Sequence, residues 1–105
     1  MSAFKVLSNI FIPTIGMNLQ NCIVAIDSAL TMRDTQDGQY QLAANIYVFA
    51  NIDLYNAAKV KDIHLSPMIL VRETRVALMP KSSTDNPMNF LYTSIRNSYE
   101  QTEDI

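Results

Sequence analysis

The chain has 105 residues and a mass of 11.9 kDa, which is the size of one domain covering residues 1–105. Eight basic and ten acidic residues give a net charge of −2 and form no basic run that could neutralise phosphates, so the composition disfavours nucleic acid as a partner. Charged residues are scarce, at 17% of the chain, and a charge-poor surface is easier to desolvate against another protein. No apolar run approaches the ~20 residues of a bilayer-spanning helix, so we expect no membrane partner.

Residues that usually carry chemistry are also few. Cys22 is the only cysteine and His64 the only histidine, so one chain cannot supply the three or four nitrogen and sulfur ligands of a zinc site. The two glycines, Gly16 and Gly38, cannot form a phosphate-cradling loop. We therefore predict no catalytic residue, no metal site and no cofactor.

The first half of the chain predicts three strands. Residues 4–12 alternate loosely and stop at Pro13, whose nitrogen cannot donate to a β-ladder, so this strand is expected at a sheet edge. Residues 14–21 are predicted to be a loop, and residues 22–33 a second strand with Cys22 in the core. The third strand, residues 39–55, has the sequence QYQLAANIYVFANIDLY, in which every even position is apolar. Such alternation predicts a long strand with one buried face.

The turn between the second and third strands fixes their register. Asp37-Gly38 is a strong hairpin signal, because glycine accepts positive φ without steric cost. A three-residue loop, residues 36–38, places apolar residues opposite one another and puts Gly38 in the left-handed position. The predicted pairs are Val24 with Ala50, Ile26 with Val48, Ser28 with Ile46, Leu30 with Ala44, and Met32 with Leu42.

The second half predicts a loop at 56–67, with a short strand at 63–65, and then one more strand and a helix. Residues 68–79 are expected to be a strand rather than a helix, since Val71, Thr74 and Val76 favour strands. Asn86 and Pro87 are typical of a helix start and predict a helix over residues 87–100. The fold class is α+β: an antiparallel sheet of about four strands built on the long hairpin, with one C-terminal helix packed on it. We expect its edge strands to be covered by a neighbouring subunit or by the N-terminal strand.

The second face of the long third strand carries Tyr47, Phe49 and Tyr55. Either the C-terminal helix covers these aromatic residues, or some of them are exposed and form a protein interface.

The acidic residues in the predicted strands allow an alternative hypothesis, that the chain is a small enzyme. That enzyme would use Asp27, Asp53 or Cys22 together with His64. Asp27 and Asp53 are expected to face water, far apart along the hairpin, and residues 72–75 are expected to form a solvated charged patch rather than an anion site.

Residues 45–60 have the sequence NIYVFANIDLYNAAKV, which reads as a long strand followed by a lysine-bearing loop, and the chain opens directly into a strand. In these features the chain resembles small structural proteins of tailed bacteriophages. The resemblance implies a non-enzymatic assembly subunit of a virion head, neck or tail, with other protein subunits as partners in a homo- or hetero-oligomer. It transfers no functional residues. The alternatives are a small regulatory or ligand-binding module that uses a sheet–helix cleft, and the small enzyme described above. The expected location is the virion if the resemblance holds, and otherwise the cytoplasm.

Overall fold

A computed structural model describes residues 2–105 and has the α+β architecture that the sequence predicts. Within those residues, a six-stranded antiparallel sheet carries two helices, and a two-stranded hairpin forms a separate sheet that packs against the same core. The strands are β1 (Ser2–Val6), β2 (Ile10–Ile12), β3 (Met17–Leu19), β4 (Cys22–Ile26), β5 (Thr31–Asp34), β6 (Gln39–Phe49), β7 (Val71–Pro80) and β8 (Thr102–Asp104), and the helices are α1 (Ile52–Lys59) and α2 (Pro87–Asn97). No helix in the described part of the chain is long and apolar enough to cross a membrane.

Strand β6 is the centre of the sheet. One side of it pairs with β7 over ten residues, and the other side pairs first with β5 and then with β4. Beyond β4 lie β1 and then β8. The N-terminal strand therefore covers β4 rather than the outer edge of β7.

Each face of the sheet has its own core, because side chains alternate along a strand. Even-numbered residues of β4 and β6 pack under α2, whereas the odd-numbered residues of β4 and of the C-terminal part of β6 pack under α1. The largest fully buried side chains under α2 are Phe4, Ile12, Ile26, Leu42, Ile46 and Leu91. The core under α1 is smaller and contains Ile23, Ala25, Tyr47, Phe49, Tyr55, Ala58 and Ile63.

The predicted strand over residues 39–55 is too long, because the chain turns into helix α1 after Phe49. Asn51 has an extended backbone, and its side-chain oxygen accepts the N–H of Leu54 at 3.0 Å, which caps the helix. Residues 52–59 then bury Tyr55 and Ala58, three positions apart on one helix face. The apolar residues that fitted a strand pattern up to position 55 fit this helix equally well.

The predicted strand over residues 22–33 is interrupted at residues 27–30. The register next to the turn is as predicted, with Met32 opposite Leu42 and Gly38 at a φ of 79°. Beyond the interruption the register moves by two residues, so that Ile26 lies opposite Ile46. The other predicted pairs, Val24 with Ala50, Ile26 with Val48, Ser28 with Ile46 and Leu30 with Ala44, are wrong. The interruption adds two residues between β4 and β5 relative to β6. Because side chains alternate with a period of two, every side chain stays on its original face, and the hydrophobic pattern of the sequence does not reveal the interruption.

The remaining boundaries differ in smaller ways. The predicted strand over residues 4–12 is two strands, β1 and β2, and β3 lies in the predicted loop at 14–21. Residues 63–65 form a 3₁₀ turn instead of a strand, whereas β7 confirms the strand expected over 68–79. Helix α2 begins at Pro87 as predicted and ends at Asn97 instead of residue 100. The tail returns as β8 and pairs with β1.

Candidate functional site

The aromatic residues predicted as an interface lie inside the chain's own core. Tyr47, Phe49 and Tyr55 are all buried, and the ring centroids of Phe49 and Tyr55 are 5.7 Å apart. Helix α1 covers them, whereas the C-terminal helix packs on the opposite face. Of the two alternatives, a covered face and an exposed interface, the described residues therefore show a covered face, although the helix that covers it is α1 and not the C-terminal helix. Helix α1 was not expected, because residues 52–55 were assigned to the strand and residues 56–59 to the loop.

A cluster of three polar side chains lies at the rim of this core. Asp27 is only 8% exposed, although it was expected to face water. Its Oδ2 accepts a hydrogen bond from the Tyr47 hydroxyl at 3.2 Å, and the same hydroxyl lies 2.7 Å from Nδ1 of His64. Nδ1 of His64 is also 3.3 Å from Oδ2 of Asp27. The cluster joins the interruption after β4, the C-terminal part of β6 and the 3₁₀ turn.

Burial is the main reason why the pKa of Tyr47 is raised, and the hydrogen bond to Asp27 adds to it. The phenol therefore keeps its proton and remains a donor. Because its single proton goes to Asp27, the hydroxyl can only accept a hydrogen bond from His64, so Nδ1 carries a hydrogen. In the neutral form of this tautomer the lone pair is on Nε2.

The other pairs proposed for an enzyme do not form. Cys22 is buried under α2, on the opposite face of the sheet from His64, and burial raises the pKa of its thiol. Asp53 is exposed in the first turn of α1. Across residues 2–105 the structure shows no cluster of three or more His, Cys, Asp or Glu side chains that could hold a metal ion.

The charged residues 72–75 are bound to the protein itself, not only solvated. The Arg72 guanidinium donates to the carbonyl oxygens of His64 and Ser66, and so fastens the 3₁₀ turn to the start of β7. Arg75 contacts Glu73 at 2.9 Å and the Tyr99 hydroxyl at 3.1 Å. Both arginines therefore have partners within the chain.

Strand β7 forms an open edge of the sheet. In the described residues it pairs with β6 alone. The N–H of Lys81 donates to the carbonyl of Gly38 at 2.9 Å, which identifies these two opposed residues as a hydrogen-bonded pair. Because such pairs alternate along an antiparallel ladder, the odd residues of β7 direct their backbone groups to β6. The even residues direct theirs outward: Arg72, Thr74, Val76 and Leu78.

The side chains of this edge add apolar surface to the unpaired backbone. Val76 is 53% and Leu78 is 51% exposed, on the α1 face but beyond the helix. Between Arg72 and these residues, the Thr74 hydroxyl donates to Oδ1 of Asn45 at 2.8 Å. We call the outward backbone groups and side chains of Arg72, Thr74, Val76 and Leu78 the β7 edge.

Two surface grooves border α1 on its outer sides. One, of about 550 Å³, lies between β1 and α1 and is lined by Lys5 and Lys59. The other, of about 520 Å³, lies between α1 and the segment from Leu65 to Met68. The rest of the space between the sheet and α1 is filled by the core.

Comparison of the chain with models of protein families, with curated proteins and with solved structures finds no match.

Proposed function

We propose that this chain is a non-enzymatic assembly subunit that acts through protein–protein contacts, and that the β7 edge forms its principal contact. The observation that carries the proposal is a ten-residue edge strand with unpaired outward backbone groups beside exposed Val76 and Leu78. The resemblance to structural proteins of tailed bacteriophages makes a virion head, neck or tail the setting we propose for it.

The physical argument is that an open strand edge favours strand addition. A row of unpaired N–H and C=O groups is a template for another strand, and proteins that remain monomeric protect long edges by covering, shortening or charging them. Here the N-terminal strand covers β4 and β8 covers β1, but no segment of residues 2–105 covers β7. Its charged residues, Arg72, Glu73 and Arg75, are of both signs and already have partners within the chain, so they do not repel an added strand uniformly. An added strand would gain main-chain hydrogen bonds, and its side chains would meet the apolar surface around Val76.

A proline substitution tests the edge selectively. Val76→Pro removes an outward N–H without removing a hydrogen bond to β6, whereas Val76→Thr keeps the N–H and the branched shape. The native mass of the chain would be measured in extracts of the cells or particles that produce it. We expect a mass well above 11.9 kDa for the wild type and for Val76→Thr, and a folded single chain for Val76→Pro. A wild-type chain that migrates alone in its native extract contradicts the proposal.

The cluster of Asp27, Tyr47 and His64 favours a second candidate, a small enzyme that uses His64 as a general base. Asp27 and Tyr47 hold the tautomer with a basic Nε2, and the His64 side chain is 46% exposed. A panel of ester and phosphoester substrates, assayed with the wild type and with His64→Gln, tests it. Turnover that disappears in His64→Gln while the fold is retained would favour the enzyme, and its absence would favour a structural role for the cluster.

A further inference from the structure

We infer that the strand that pairs with the β7 edge is β7 of a second copy of this chain, antiparallel to the first, with a two-fold axis at Thr74. This inference rests on the proposed function, because it uses the same edge. It adds the identity of the partner and the register of the contact.

Backbone geometry restricts the registers that two copies can adopt. Outward-facing residues of one β7 must face outward-facing residues of the other, because only they have free backbone groups. Even-numbered residues therefore face even-numbered residues. Three central registers satisfy this rule: Thr74 opposite Thr74, Thr74 opposite Val76, and Val76 opposite Val76.

The charges on the odd-numbered residues distinguish these registers. When Thr74 faces Thr74, Glu73 of each copy lies opposite Arg75 of the other, which gives two ion pairs across the axis. When Thr74 faces Val76, the two copies of Arg75 face each other and repel. When Val76 faces Val76, Glu73 lies opposite Met79 and Arg75 opposite Ala77, so no charge is paired. Only the Thr74 register is complementary in charge.

The geometry of the two ion pairs is favourable. Glu73 and Arg75 would occupy non-hydrogen-bonded positions, where opposed side chains are closest. Their side chains are 43% and 32% exposed and already contact each other at 2.9 Å within one chain. Two such pairs side by side would form a four-charge network, which stabilises an interface more than isolated surface pairs do. On the other face, the aliphatic part of Arg72 would lie over Val76 of the second copy.

Charge reversal tests the partner and the register together. Glu73→Arg alone places two arginines opposite each other, and Arg75→Glu alone does the same with two glutamates. One chain has a mass of 11.9 kDa, and we expect the purified wild type to have twice this mass. The dissociation constant of the dimer should be at least about tenfold higher for each single variant. An equimolar mixture of the two variants restores both ion pairs and should restore the dimer. Glu100→Arg, an exposed charge reversal outside β7, is the matched control and should remain dimeric.

The contact between Arg75 and Tyr99 requires a check of the fold, which circular dichroism of each variant provides. Glu73→Arg leaves that contact in place, so it keeps the test valid if Arg75→Glu unfolds. If the two single variants dissociate but do not form a dimer when they are mixed, the proposed register is wrong.

A cysteine pair locates the axis directly. Opposed residues in a hydrogen-bonded pair have Cα atoms ~5.5 Å apart, within the range that a disulfide spans. Thr74→Cys should therefore form a covalent dimer under mild oxidation, whereas Val76→Cys and the exposed helix variant Thr93→Cys should form much less. Native Cys22 is fully buried and cannot contribute.

Two results would overturn the inference: efficient cross-linking of Val76→Cys in place of Thr74→Cys, or a purified wild type that stays monomeric at all concentrations. The chain could still be part of a larger complex in native extracts, and Val76→Pro could disrupt that complex. In that case the partner is not a second copy of the chain, and the assembly function stands with a different protein on the same edge. If the native extract also contains only the single chain, both fail.

Discussion

The hydroxyl of Tyr47 lies 3.2 Å from Oδ2 of Asp27 and connects the C-terminal part of β6 to the interruption that follows β4. Oδ1 of the same carboxylate accepts the N–H of Ala29 at 3.0 Å, so both oxygens of this buried group are bonded. A buried carboxylate is tolerated only when it is hydrogen-bonded. These hydrogen bonds therefore stabilise the interruption in the strand.

Removal of this hydroxyl should destabilise the fold. In Tyr47→Phe, Asp27 loses a donor and stays buried, so we expect the free energy of unfolding to fall by about 1–3 kcal/mol. Urea denaturation measures this. Tyr40→Phe is the matched control, because Tyr40 is a half-buried tyrosine of the same strand whose ring, and not its hydroxyl, contacts Lys81. Equal stability of the two variants would show that the bond to Asp27 contributes nothing.

Phe49 should behave as a core residue and not as an interface residue. It is fully buried between the sheet and α1, so Phe49→Ala should lower the free energy of unfolding by about 3–5 kcal/mol. Phe11→Ala removes a phenylalanine that is 59% exposed and should cost much less. Thermal and urea unfolding compare the two variants. A Phe49→Ala protein that stays as stable as the wild type but loses its oligomeric state would contradict the packing described here.

The cap of α1 can be tested separately from its packing. Asn51→Ala removes the side chain that accepts the N–H of Leu54, and we expect a loss of about 1 kcal/mol. Asn56→Ala, at an exposed position inside the same helix, should be neutral or slightly stabilising because alanine favours helices. Urea unfolding of both variants gives the comparison. A neutral Asn51→Ala variant would mean that the helix start does not depend on this cap.

Stability should fall in alkaline solution. Burial raises the pKa of both Tyr47 and Tyr55 above the ordinary value of 10.0. Below that value both residues are protonated in the folded and unfolded states, so the full stability is present. As the pH rises above it, the unfolded chain releases protons first, and stability is lost up to the raised pKa of the folded protein.

Urea midpoints between pH 8 and pH 11 measure this decline, and Tyr55→Phe should make it shallower because one titrating group is removed while the ring stays packed. A midpoint that does not change between about pH 9 and pH 11, on either side of the ordinary tyrosine pKa, would contradict the burial of these phenols.

The features that the sequence predicted correctly depend on local interactions. The turn at Gly38 follows from the conformational freedom of one residue, and the start of α2 follows from Asn86, whose Oδ1 accepts the N–H of Met88 at 2.8 Å. Strand β7 was predicted from its β-branched residues. Each of these signals lies within a few residues of the structure that it specifies.

The features that were missed depend on contacts between distant residues. Asn51 is a good helix cap, but the apolar residues after it also continue the strand alternation, so only packing on β6 decides between the two. Strand β8 is polar, and it forms because β1 offers an edge to it. The meeting of Asp27 with His64 joins residues that are 37 positions apart, and it depends on the interruption and on the 3₁₀ turn, neither of which changes the hydrophobic pattern. The one signal in the sequence that pointed to this cluster was Asp27 itself, an acidic residue among apolar strand residues, although it was expected to face water.

Amide hydrogen exchange along β7 tests the assembly account most directly. In the wild-type protein at a concentration where it associates, the outward N–H groups of Thr74 and Val76 should exchange as slowly as the inward N–H groups of Arg75 and Ala77, because another strand accepts them. In Val76→Pro, the outward amide of Thr74 should become fast while the inward amides stay slow. Fast exchange at Thr74 and Val76 in the wild type, beside slow exchange at Arg75 and Ala77, would show a free edge and would contradict the account.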